Sequence, residues 1–143
     1  MRKYSGGNPL RVGMTGFVVL AEDEGAVVAT ELVYRPDDCL AVRLVLVGPD
    51  GMEVTWTFAW ELLALGLMYP AGDGDITVRP APDPLAGIEV ALGSPSVARV
   101  WLPVADTADF VRRVRRRVGR DVGGIAPALD QELAAITSEA SGA

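Results

Sequence analysis

The sequence predicts an α+β fold: about seven strands in two antiparallel β-sheets, packed with helices. The N-terminal part is strand-rich, a helix follows strand four, and further helices close the C-terminus. Three observations predict it. Runs of β-branched and aliphatic residues with a period of two recur between Gly/Pro/Asp turns. The period changes to helical spacing twice, after Trp60 and after Asp106. Finally, 50% of the 143 residues are apolar and 22% are charged, the composition of one packed core rather than a disordered chain.

Residues 1–12, with Gly6, Gly7, Asn8 and Pro9, read as a flexible leader, so the fold is expected to start near Thr15. Phe17 to Leu20 and Val27 to Tyr34 are two strands joined by the acidic turn Glu22 to Gly25. Arg35-Pro36-Asp37-Asp38 breaks the pattern, and Leu40 to Val47, aliphatic apart from Arg43, is a buried strand. Gly48-Pro49-Asp50-Gly51 is a tight turn: Pro presets φ at its second position and Gly51 is free to take a positive φ. Val54, Trp56 and Phe58 then alternate with Thr55 and Thr57, which places one valine and two aromatics on one face.

Trp60, Leu63, Ala64 and Leu67 recur at helical spacing, with Gly66 and Pro70 as stop signals. Ala71 to Asp75 returns the chain to a strand at Ile76–Arg79, and a proline-containing loop, Pro80 to Gly87, follows. Two further strands are expected at Ile88–Leu92 and Val97–Leu102 around a Gly93–Ser96 turn. Asp106 or Thr107 can cap a helix carrying Phe110, Val111, Val114 and Val118 on one stripe, and Gly119 can end it. Leu129, Leu133 and Ile136 mark a last short helix. Residues 13–138 are thus expected to form one domain and 139–143 a disordered tail.

Composition excludes several chemistries. Histidine is absent and Cys39 is the single cysteine, so neither a disulfide pair nor a zinc cluster can be assembled and the commonest general base is missing. Cys39 itself, without a histidine to activate it, reads as a small buried hydrophobe. Ser94 and Ser96 lack a base in the same way. Asp37 and Asp38 read as turn chemistry rather than a catalytic pair, and Gly72-Asp73-Gly74-Asp75 lacks the further oxygen ligands of a calcium loop. No catalytic residue, cofactor site or metal site is expected. No apolar run approaches the ~20 residues of a membrane-spanning helix, and no signal-peptide pattern is present, so a cytoplasmic protein is expected.

The candidate binding residues are six arginines within nine positions: Arg112, Arg113, Arg115, Arg116, Arg117 and Arg120. The rest of the chain holds seven basic residues and all 19 acidic residues, giving a formal net charge of −6. Part of this cluster is explained by last-turn cations facing the negative end of a helix dipole. As a site, it fits a docking stripe for an acidic peptide or a phosphate, because guanidinium forks pair bidentately with such groups. The alternative is a single-stranded nucleic-acid binding module on the same helix. The acidic surroundings and the lack of aromatics interleaved with the arginines argue against it.

One block carries a family resemblance. Val54-Thr55-Trp56-Thr57-Phe58-Ala59 leads into Glu61-Leu62-Leu63, then Gly66-Leu67, Pro70 and Gly72-Asp73-Gly74-Asp75-Ile76-Thr77-Val78. Ala91 to Pro95, Phe110 to Arg113 and Leu129 to Leu133 continue it. The chain resembles, over roughly residues 14–137, the SsgA-like sporulation and cell-division proteins of filamentous actinobacteria. The resemblance implies a Whirly-like fold and a homotrimer without catalytic activity. It also implies a role at the division septum, helping to place the tubulin-like protein FtsZ or acting with an SsgA-like paralogue or a membrane-associated division protein. Within the motif, Trp56, Phe58, Leu62, Leu63, Gly66, Leu67, Pro70, Gly72, Gly74 and Asp75 are expected to be mainly structural.

Overall fold

Strand β1 (Leu10–Leu20) is the longest strand and the one that organises the fold. In the computed structural model, which describes residues 7–20, 24–72, 74–82, 86–93 and 98–122, β1 is followed by β2 (Gly25–Tyr34), a 3-10 turn at Pro36–Asp38, β3 (Ala41–Val47) and β4 (Glu53–Ala59). Helix α1 (Trp60–Gly66), β5 (Ile76–Pro80), β6 (Gly87–Leu92) and β7 (Ala98–Pro103) come next. A second helix, α2, covers residues 104–122.

The strands form one seven-stranded antiparallel sheet in the order β4-β3-β2-β1-β7-β6-β5. This corrects the expected pair of sheets. The sequence separates β1–β4 from β5–β7 correctly, but β1 stitches the two groups together. It pairs with β2 from Leu10↔Tyr34 to Val19↔Gly25, and on its other side with β7 from Phe17↔Trp101 to Leu20↔Ala98. That double role needs a strand longer than the four-residue run visible at Phe17–Leu20. Gly13 and Gly16 weaken the β signal upstream, which is why the sequence places the start near Thr15 whereas strand pairing begins at Leu10. Gly16 has a packing reason: a Cβ there would come within 2.5 Å of the Thr30 hydroxyl.

The sheet curls, and its concave face holds the core. Leu32, Tyr34, Val42, Leu44, Val90, Val100 and Leu102 point inward and are buried. α2 lies on this face through Phe110, Val111 and Val114, all buried. It starts at 104, two to three positions before the expected caps. Thr107 is buried inside the first turn instead, its hydroxyl donating to the Pro103 carbonyl at 2.8 Å and to Met14 Sδ at 3.9 Å. Gly119 does not end the helix, which continues to 122. The expected last helix at Leu129, Leu133 and Ile136, together with Ser94 and Ser96, lies outside the described residues.

Turn chemistry matches the sequence at Gly48–Gly51. Gly51 takes φ +83°, Gly51 N–H donates to the Gly48 carbonyl at 2.9 Å, and the Asp50 carboxylate accepts from Met52 N–H at 3.1 Å. Helix α1 ends at Gly66, where the sequence places its stop. Helix α1 is capped by Leu67 in right-handed geometry, and Gly66 is required because its Cα packs on β5: an added Cβ would meet Val78 Cγ1 at 2.2 Å.

Candidate partner-binding surface

The candidate surface is built on α2, and its logic follows from 100° of rotation per residue. Phe110, Val111, Val114 and half-buried Val118 define the inward stripe. Arg112, Arg116 and Arg120, at four-residue spacing, fall on the opposite side, with Arg113 beside them. Arg115 and Arg117 fall on the two boundaries between these faces.

The boundary arginines are committed to the fold. Arg115 lies over the Trp60 ring, 5.8 Å from its centroid, and Arg117 lies over the Tyr34 ring at 5.6 Å. Arg117 Nη2 also donates to the Asn8 carbonyl at 2.6 Å, tying the segment before β1 to the helix. The Tyr34 hydroxyl donates to Asp121 Oδ2 at 2.6 Å. Burial first, then the hydrogen bond to Asp121 and its negative charge, push the Tyr34 pKa far above its ordinary value, against a smaller opposing effect of Arg117.

The outward arginines divide again. Arg112 and Arg113 both reach Asp109, three and four positions earlier and so about one helical turn away, with Arg113 Nη1 at 3.5 Å from Oδ2. Arg116 and Arg120 have no ion-pair or hydrogen-bond partner among the described residues. The six arginines of the sequence cluster are thus not one uniform stripe. Two hold the helix to the sheet, two share a carboxylate, and two are unpaired among the described residues.

The remaining candidates take structural positions. Phe58 and Leu63 are buried, Trp56, Leu62 and Leu67 are half-buried against the core, and Gly66 packs on Val78. Gly72 takes φ +93°, where a Cβ would strike the Ile76 carbonyl at 2.5 Å. Pro70, Gly74 and Asp75 are exposed, and the Asp75 carbonyl accepts from Gly93 N–H at 2.7 Å. Asp73 lies outside the described residues. Asp37 is engaged by Arg35 Nε at 3.3 Å at the 3-10 turn. Cys39 is buried, and burial raises its thiol pKa. Among the described residues no three His, Cys, Asp or Glu side chains gather to hold a metal, and no helix is long and apolar enough to cross a membrane.

Two features escaped the sequence reading. On the convex face, Glu89 is flanked by Arg79 Nη2 at 2.8 Å and Arg99 Nη1 at 3.9 Å. Beside it, Trp101 is half-buried with its Nε1 lacking a hydrogen-bond partner among the described residues, pressed on the Gly87 backbone, where a Cβ would come within 2.3 Å of that nitrogen. Alternation in Ala98–Pro103 does place Trp101 opposite Val100 and Leu102, so its outward face was available in the sequence.

A family model for the Streptomyces sporulation and cell division protein SsgA matches residues 28–122. The chain belongs to the SsgA family. SsgB of Thermobifida fusca is 33% identical over 68% of this chain and 73% of its own length, and SsgB of Saccharopolyspora erythraea is 40% identical over 68% and 70%. A sporulation-specific cell division protein of Frankia casuarinae is 42% identical over 54% of each chain. Among solved structures, SsgB of Streptomyces coelicolor, described with mutations that correlate to longitudinal cell division during sporulation, superposes with a TM-score of 0.69 at 26% identity, covering 78% of this chain and 90% of that one. The SsgA-like protein of Thermobifida fusca shares the fold at a TM-score of 0.75 and 24% identity, over 90% of this chain and 99% of that one. The 28–122 span of the family model runs from within β2 to the last described residue of α2, so the helix that carries the arginines lies inside the matched region.

Proposed function

We propose that this SsgA-family chain is a non-enzymatic cell-division adaptor acting in sporulation-specific septation at the division septum, where it helps recruit or position FtsZ. Family membership and the sporulation and cell-division names of its relatives support the general role. The observation that carries the docking site is the pair Arg116 and Arg120, exposed and unpaired among the described residues, on a chain of net charge −6. Free guanidinium groups on the outer face of a helix suit a partner that presents carboxylates. The aromatic rings nearest the stripe, Trp60 and Tyr34, already face Arg115 and Arg117. That arrangement leaves no stacking platform for bases beside the free cations and favours a protein partner over a nucleic acid.

Assembly as a homotrimer belongs to the same proposal. Exposed Phe17 and Val27 on the convex face, next to half-buried Trp101, supply apolar surface for self-association. Imaging a fluorescent fusion in a sporulating actinobacterium tests the role: ladders of fluorescence at sporulation septa are expected, and diffuse signal throughout septation overturns it. Light scattering of the purified chain tests the trimer, which a monomeric mass contradicts.

A further inference from the structure

The two edges of the sheet are finished differently. At β5 the edge is guarded: Ala71 N–H donates to the Val78 carbonyl at 2.8 Å, Val78 N–H donates back to Ala71 at 2.9 Å, and Pro80 removes a donor. At β4 it is open. Gly48 N–H bonds to Met52 at 2.9 Å and Trp60 N–H to Leu40 at 3.1 Å. With the register Val42↔Phe58, Leu44↔Trp56 and Leu46↔Val54, these two bonds make Val54, Trp56 and Phe58 the residues hydrogen-bonded to β3. The main-chain N–H and C=O groups of Glu53, Thr55 and Thr57 therefore point away from the sheet, and no other hydrogen bond engages them among the described residues.

Beside this edge the concave face is not covered by α2, which lies toward the Tyr34 end. A trough of about 740 Å³ remains at the other end, lined by apolar side chains that include Val18, Val28, Leu46, Val54 and Trp56. Leu20 and Val54 are each 50% exposed and Met52 68%. Glu24 and Asp50 line the trough, Glu53 stands exposed beside it, and among the described residues neither Lys nor Arg contributes to its wall.

We propose that the β4 edge is a β-strand-addition site for an extended segment of a partner protein, with alternating apolar side chains and basic residues at one end. The added strand pairs its main chain with Glu53, Thr55 and Thr57. Its apolar side chains enter the trough next to Val54 and Trp56, and its cation meets Asp50 and Glu53. Charge selects this occupant over the other two. β4 of a second copy carries Glu53 and no cation, and residues 123–143 of the chain contain Asp130, Glu132 and Glu139 with no Lys or Arg. Both bring charge of the same sign to an acidic rim. The site is separate from the arginine face of α2 and stands or falls independently of it.

The test is fluorescence anisotropy with two short labelled peptides of alternating Val and Thr, one ending in an Arg pair and one in a Glu pair. Saturable binding of the Arg peptide is expected, with the Glu peptide and the Thr55→Pro variant each about tenfold weaker, the loss of roughly one charge-assisted or main-chain hydrogen bond. Thr55→Pro removes an outward N–H and leaves the β3 ladder intact, so its thermal midpoint checks folding. Val54→Lys, which places a cation in the trough, gives the same readout if the proline variant unfolds. Absent binding, equal binding of the two peptides, or undiminished binding by folded variants overturns the proposal. An assembly of the wild-type chain that Thr55→Pro dissociates also overturns it, assigning the edge to a second copy.

Discussion

The Tyr34 hydroxyl donates a 2.6 Å hydrogen bond to the Asp121 carboxylate, linking the last residue of β2 to the far end of α2 across 87 positions of sequence. With Arg117 over the same ring, this contact fixes how α2 lies on the sheet and therefore where its outer arginines point.

Tyr34 is protonated in the folded state at pH values where an unfolded tyrosine, with a pKa of 10.0, ionises. Its folded pKa is raised, so its contribution to stability is fully present below pH 10.0 and declines as pH rises above it. Urea titrations between neutral pH and the alkaline range should show a loss of stability in the wild type that is smaller in Tyr34→Phe. At neutral pH that variant should be less stable by about 1–2 kcal/mol, the cost of a hydrogen bond to a carboxylate. Parallel alkaline losses in the two proteins would contradict this.

Gly66→Ala forces a methyl group into Val78 Cγ1, 2.2 Å from the ideal Cβ position. A destabilisation of about 1–3 kcal/mol is expected from overpacking, read by calorimetry. Val78→Ala in the same chain should recover part of it, because it opens the space that the new methyl needs.

The arginines of α2 should separate by stability. Arg116→Ala and Arg120→Ala break no ion pair or hydrogen bond among the described residues and should stay within about 0.5 kcal/mol of wild type. Arg117→Ala loses a ring contact and the bond to the Asn8 carbonyl and should cost about 1 kcal/mol or more. Equal effects at all three positions in chemical denaturation would show the division to be wrong.

Cys39 is 3% exposed, and burial raises its thiol pKa. Alkylation by iodoacetamide near neutral pH should be slow in the folded chain and should reach completion in denaturant, because the thiolate is the reactive form. Rapid labelling of native protein would contradict the burial.

Much of the fold was legible in local pattern. All seven strands, the turn at Gly48–Gly51 and the helix at Trp60 follow from periodicity and turn residues, because each depends on neighbours in sequence. The single sheet did not, because it depends on one strand, β1, holding two partners, and Gly13 and Gly16 hide half of that strand. The arginine cluster was visible at once, but its division was not. Which arginine is free depends on Trp60, Tyr34 and Asn8, which the fold brings to α2 from distant positions. The open β4 edge likewise depends on which residues pair with β3.

The most direct test of the proposed function is co-sedimentation of the purified chain with GTP-polymerised FtsZ at near-physiological salt, beside an Arg116→Glu, Arg120→Glu variant whose unfolding transition matches wild type. The wild-type chain is expected in the pellet with polymer and the variant in the supernatant. Equal pelleting of the two would contradict docking through the free arginines, and wild-type chain remaining in the supernatant would contradict direct recruitment of FtsZ.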